Sequence, residues 1–93
     1  MGYFYKGCSL LLMGSSVHSE RYQQFLGRFK AARLEAGLTQ VEVAFRLNLP
    51  QSYVSKCESG ERRVDVIELT DFALIYKKSL SYFVYGQGEA SEP

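Results

Sequence analysis

The chain has no tryptophan, a single histidine (His18), two prolines (Pro50 and Pro93) and two cysteines (Cys8 and Cys57) among its 93 residues. Each scarcity removes a class of reading. One histidine and two cysteines without a Cys-x-x-Cys spacing give no support for a zinc site or a thioredoxin-like redox motif, and a reducing cytoplasm is the simpler setting. Cys57 is then expected to be a small core hydrophobe, the common fate of a free cysteine. The apolar run from Cys8 to Met13 is far shorter than the ~20 residues of a membrane span. With only Lys6 before it, it is also a poor secretory signal. No nucleophile stands beside a base and no pair of acids marks a pocket, so no enzyme activity and no cofactor are expected. The stretch GQGEAS is rich in glycine, yet it lacks the strand before it and the helix after it that a phosphate loop requires.

What is present is a set of aromatics, seven tyrosines and six phenylalanines, sufficient to fill the interior of one small domain. The net charge of +1 is unevenly spread. Residues 19 to 63 carry eight basic side chains against five acidic ones, whereas residues 64 to 93 carry Lys77 and Lys78 against five acidic ones. That asymmetry suits one face turned to a polyanion, and it equally suits an ordinary solvated surface.

Residues 1 to 18 are expected to be flexible or weakly packed, with a strand or helix added to the domain as the alternative. Met13 offers a second start, which would leave MGSSVHSERY as a polar lead into the first helix. From Ser19, an N-cap candidate, Tyr22, Phe25, Leu26, Phe29, Ala32 and Ala36 recur at helical spacing, and Gly37 stops the helix. Thr39-Gln40-Val41-Glu42 reads as a capping box that opens a second helix, with Val43, Ala44 and Leu47 facing inward. Asn48 to Pro50 ends it, since proline disfavours helical geometry at Leu49. Pro50 then suits the first turn of a third helix over Gln51 to Glu58, with Val54 and Cys57 inward. Gln51, Ser52, Ser55 and Lys56 face outward, and all are groups that can address base edges. Asp65-Val66-Ile67-Glu68 is an acidic variant of the same box. It opens a fourth helix whose core side holds Ile67, Leu69, Phe72, Ala73 and Tyr76. Ser79 caps a short fifth helix from Leu80 to Tyr85, with Leu80 and Phe83 packed back and Tyr82, Val84 or Tyr85 exposed. Residues 87 to 93 form a polar tail. The fold class is all-α.

Two helices joined by a tight connection, the second with polar side chains outward, make a helix-turn-helix. At this point the chain resembles the Cro/C1-type, or XRE, helix-turn-helix family over roughly residues 22 to 84. The resemblance rests on Arg33, on GLTQ at 37 to 40, on Ala44 and Leu47, on SYVSKCESGERR at 52 to 63 and on the apolar DVIEL that follows. It departs from the family pattern at Pro50, where serine or threonine is common, and in the N-terminal extension. The resemblance implies a compact five-helix, lambda-repressor-like domain over residues 19 to 86 that binds double-stranded DNA as a small transcriptional regulator, most simply a repressor.

It further implies that Gln51, Ser52 and Lys56 touch bases, that Gln40, Tyr53, Ser55, Ser59, Arg62 and Arg63 lie near phosphates, and that Glu58 pairs with Arg33. Taken alone, Gln51 and Ser52 read equally well as exposed first-turn residues, Lys56 as a solubilising charge and the two arginines as a solvated loop. One such domain buries little surface on DNA, so a homodimer through residues 80 to 85 is expected on a near-palindromic site with half-sites about 34 Å apart. The expected setting is cytoplasmic and bound to DNA, with no membrane association. The rival reading is a protein-interaction module of the same fold, an antitoxin or adaptor that depends on a protein partner.

Overall fold

The computed structural model describes residues 19–86, and its elements are five helices: α1 (Glu20–Glu35), α2 (Gln40–Leu47), α3 (Gln51–Ser59), α4 (Val66–Tyr76) and α5 (Leu80–Tyr85). The expectations for residues 1 to 18 and 87 to 93 fall outside the described residues. Four helix starts are set by a side chain that accepts an N–H from its own first turn. Ser19 takes the Tyr22 amide at 3.1 Å and Ser79 the Tyr82 amide at 3.2 Å. Thr39 with Glu42, and Asp65 with Glu68, close reciprocal capping boxes in which each satisfies an otherwise orphaned backbone N–H of the other. The exception is α3. Pro50 stands at its N-cap with extended geometry (ψ 152°) and supplies no side-chain cap, so it precedes the helix and is not part of its first turn.

Three helices end in the same way, with one residue in the left-handed region and a pair of backbone bonds reaching back over the last turn. After α2, Asn48 adopts φ 60°, its N–H donates to Phe45 at 3.1 Å, and the next N–H, of Leu49, donates to Ala44 at 3.0 Å. Gly37 after α1 and Lys77 after α4 repeat the device, with Leu38 donating to Arg33 and Lys78 to Ala73. These tight stops leave only short connections, so consecutive helices must turn sharply against one another.

The interior is built around Phe29, which is fully buried and ringed by Phe72 (4.7 Å between centroids, edge-on), Phe25 (5.4 Å), Tyr76 (6.1 Å) and Phe83 (6.3 Å). Edge-on aromatic pairs add attraction beyond the area they bury. Val43, Ala44, Val54, Cys57, Leu69 and Ala73 complete the core, so every helix contributes to it. Burial of Cys57 pushes its thiol up from the ordinary range, which fits a packing role. Arg28 ties α1 to α5. Its guanidinium donates to the carbonyls of Phe83 (3.2 Å) and Val84 (2.8 Å), placing positive charge at the end of α5, a helix with no basic residue of its own in the last turn.

Three expected core positions are corrected. Ile67 is 69% exposed and Leu80 40% exposed, and Ala36 lies on the surface as the C-cap of α1. In α4 apolar residues occupy nearly every side of the helix, so periodicity alone does not select the buried stripe, and Leu69, Phe72 and Tyr76 take it.

Candidate nucleic-acid interface

The left-handed Asn48 and the extended Pro50 set α2 and α3 directly against each other, and Val43, Ala44, Val54 and Cys57 seal the joint. Helix α3 therefore has a buried side and an outward side. On the outward side Gln51, Ser52 and Lys56 are exposed, and Ser55 and Tyr53 are half-buried. No hydrogen bond or ion pair among the described residues occupies the side chains of Ser52 and Lys56.

Gln51 is held differently. A chain of polar contacts runs from the core to it. Arg33 donates to the Glu58 carboxylate at 2.6 and 3.2 Å, and also to the Leu38 carbonyl at 2.9 Å. Gln40 Nε2 donates to Glu58 Oε1 at 3.0 Å, and Gln51 Nε2 donates to Gln40 Oε1, again at 3.0 Å. The ion pair at the root is nearly dry, its two side chains being 10% and 5% exposed. Hydrogen bonding to Glu58 raises the Arg33 pKa further. The expected pairing of Glu58 with Arg33 is present, and the extension through Gln40 to Gln51 is a finding of the structure.

The α3–α4 loop forms a second cluster. Arg62 makes a two-pronged contact with Glu68 at 2.9 and 2.6 Å, and its guanidinium lies 4.7 Å from the centre of the Tyr53 ring. Tyr53 in turn lies parallel to Phe72 at 6.1 Å. Burial pushes the Tyr53 phenol up to about 12, whereas the Arg62 guanidinium holds the Glu68 carboxyl at about 2. Arg62 is thus engaged with the protein, where the resemblance implies a place near phosphate. Arg63 lies over the Tyr22 ring at 4.3 Å, and the Tyr22 hydroxyl accepts from the Val64 amide at 3.1 Å. Ser59 ends α3 by accepting the Glu61 N–H and donating to the Lys56 carbonyl. Gly60 then turns the chain at φ 87°, an angle that favours glycine, and a Cβ there would stand 3.0 Å from a Leu26 methyl that would have to shift.

Gln40 and Gln51 thus meet across the α2–α3 joint, Ser52, Ser55 and Lys56 follow along α3 with Lys56 in its last turn, and Tyr53 lies with Arg62 at the α3–α4 loop, which Ser59 and Arg63 flank. Glu68 is the residue that sequence reasoning passes over, since the capping box accounts for it completely. Its spacing from Arg62 across the turn is the signal that could have found the pair. Among the described residues no group of three or more His, Cys, Asp or Glu side chains is placed to hold a metal ion, and no helix is long and apolar enough to cross a membrane.

Comparison with known proteins adds two findings. A family profile described as helix-turn-helix matches residues 29–83. The chain is also similar to a solved structure described as an XRE-family like protein from Pseudomonas syringae pv. tomato, at 46% identity and a TM-score of 0.65, over 73% of this chain and 85% of that one. A search of curated proteins finds no match.

Proposed function

The chain belongs to the XRE-type helix-turn-helix family, and from that premise we propose that it is a small transcriptional regulator, a repressor, that binds double-stranded DNA with α3 in the major groove. The observation that carries this reading is the outward side of α3, where Gln51 is tied through Gln40 and Glu58 to the core while Ser52 and Lys56 stand unengaged beside it. A reader of base edges needs donors and acceptors that protrude from a rigid support, and this arrangement supplies them. Gln51, Ser52 and Lys56 contact bases. Gln40, Tyr53, Ser55 and Ser59, with Arg62 and Arg63, attend the phosphates on either side. The uncapped start of α3 and the capped start of α2 add the positive ends of two helix dipoles to that surface.

A single domain offers limited contact with DNA, so the reading includes a homodimer on a near-palindromic site with half-sites about 34 Å apart. Support comes from α5 and the neighbouring surface of α4, which leave Leu74 (78%), Leu80 (40%), Val84 (46%) and Tyr85 (68%) exposed. The working compartment in this reading is the cytoplasm, where the DNA lies.

The test is selection of bound sequences from a random duplex pool, with the wild type and a Gln51→Ala, Lys56→Ala double variant run in parallel. Enrichment of a two-fold site that the variant loses supports the reading. Absence of enrichment by folded, dimeric protein overturns it in favour of a module whose ligand is another protein.

A further inference from the structure

We infer that the outward face of α2 is a self-association surface, on which α2 of a second copy docks antiparallel across a two-fold axis near Phe45. Among the described residues Phe45 is the most exposed large apolar side chain, at 84%, and Val41, one turn before it, is 59% exposed. Leu49, just past the end of the helix, adds a third apolar group at 43%. A single exposed apolar side chain is ordinary, but apolar groups aligned in one stripe mark a contact surface. None of the three lies on the outward side of α3 or in the apolar patch of α4 and α5.

The charges beside that stripe select the occupant and its direction. Glu42 and Arg46 follow Val41 and Phe45 by one residue each, so they form a second row along one flank, and both are exposed. The Glu42 carboxylate is held there by the Thr39 N–H at 2.8 Å, while no hydrogen bond or ion pair among the described residues engages Arg46. When a second α2 lies antiparallel about a two-fold axis, each flank faces its own copy with the order of residues reversed. Glu42 then meets Arg46 of the second copy, and Arg46 meets its Glu42, while Val41 meets Leu49 on either side of the paired phenylalanines. A parallel arrangement sets the charged row against the opposite flank, which holds Gln40 and Asn48 and no charge. The row is complementary to its own reverse, which is what a contact between two identical surfaces requires.

The contact is small. An eight-residue helix offers much less than the ~800 Å² per partner of a standard interface, so the association is weak in free solution. The inference does not depend on the DNA-binding reading. On that reading, however, the contact joins copies seated at neighbouring sites, where attachment to one duplex raises their local concentration.

The experiment is sedimentation equilibrium of the full chain without DNA, up to about 1 mM, the range that so small a contact occupies. It compares the wild type with Phe45→Ser, Glu42→Lys, Arg46→Glu and an equimolar mixture of the last two. Either charge reversal sets like charges against each other across the axis, and mixing the two restores opposite charges at both meetings. The expected result is a rise of about tenfold in the dissociation constant in each single variant, and recovery in the mixture. Glu42→Lys also costs α2 its capping box, but the mixture carries the same loss, so its recovery reports the contact and not the fold. An attraction confined to Glu42 and Arg46 of one helix is not restored by mixing chains. A mixture that associates no better than its components therefore overturns the inference, and so does a Phe45→Ser variant that associates as the wild type does. Tyr85→Ser, run alongside, separates this contact from the homodimer through residues 80 to 85. Association lost in Tyr85→Ser and unchanged in Phe45→Ser leaves that homodimer standing and overturns the α2 contact. A wild type that stays monomeric throughout overturns both.

Discussion

Arg33 in α1 and Glu58 in α3 are joined by two hydrogen bonds, of 2.6 and 3.2 Å, at a place where both side chains are nearly excluded from water. A charge so placed is costly once its partner is gone. Arg33→Met is therefore expected to lower stability by about 3 kcal/mol, because it strands the carboxylate, whereas Arg33→Met with Glu58→Leu recovers much of that stability. Denaturant titration of the three proteins checks this. A single variant as stable as the wild type would show that the pair is not desolvated in solution.

Acid should weaken the fold in a definable window. Glu68 is held at about 2, first by Arg62 and then by the Asp65 amide, against an ordinary value of 4.5. A carboxylate with a depressed folded pKa contributes stability that is fully present above its unfolded value, and that stability is lost as the pH falls through the folded value. The melting temperature is expected to decline between about pH 4.5 and pH 2. Glu42, lowered by its capping contact with Thr39, titrates in the same sense. In Glu68→Gln the decline should be shallower, though only by a fraction, since the Arg62 pair is partly exposed and screened by solvent.

Two backbone positions predict opposite effects. Lys77 ends α4 at φ 60°, in a region that glycine occupies with less strain, so Lys77→Gly should stabilise the domain by about 0.5 to 1 kcal/mol. Gly60→Ala meets both a positive φ and Leu26 at 3.0 Å, and should cost at least about 1 kcal/mol. Thermal melts of the two variants check the pair, and a lower melting point for Lys77→Gly would show that the lysine side chain outweighs the backbone strain.

Salt dependence should distinguish the charged residues of the interface by role. If Arg63 attends a phosphate, Arg63→Ala lowers the slope of log affinity against log salt by about 0.9 per site and weakens all sequences alike. If Lys56 contacts a base, as proposed, Lys56→Ala instead lowers the contrast between the preferred sequence and its single-base variants. Binding isotherms over a range of ionic strengths on both kinds of duplex test the distinction.

Much of this molecule is legible in local chemistry. Thr39 with Glu42, and Asp65 with Glu68, announce helix starts because a capping box needs only four consecutive residues. The outward placement of Gln51, Ser52 and Lys56 follows from Val54 and Cys57 lying inward three residues apart. Periodicity misplaces Ile67 because α4 is apolar on nearly all sides, so that neighbouring helices decide which stripe is covered. The link from Gln40 to Gln51 joins two helices across a turn whose angle no residue pattern states. The clamp of Arg28 on the end of α5 is remoter still, bridging residues 55 and 56 positions apart. The family resemblance makes Arg62 a partner of phosphate, and its engagement with Glu68, six residues on, is fixed by the loop that Gly60 closes.

The anchored and unanchored side chains of α3 also differ in how readily descendants of this sequence could alter them. Gln51 rests through Gln40 on the ion pair that holds α1 to α3, so a change at the root of that relay, Arg33 or Glu58, reaches both the fold and the outward side of α3. Ser52 and Lys56 carry no such obligation. On the proposed DNA-binding reading, lineages that acquire new target sites are expected to drift first at Ser52 and Lys56 and later at Gln51.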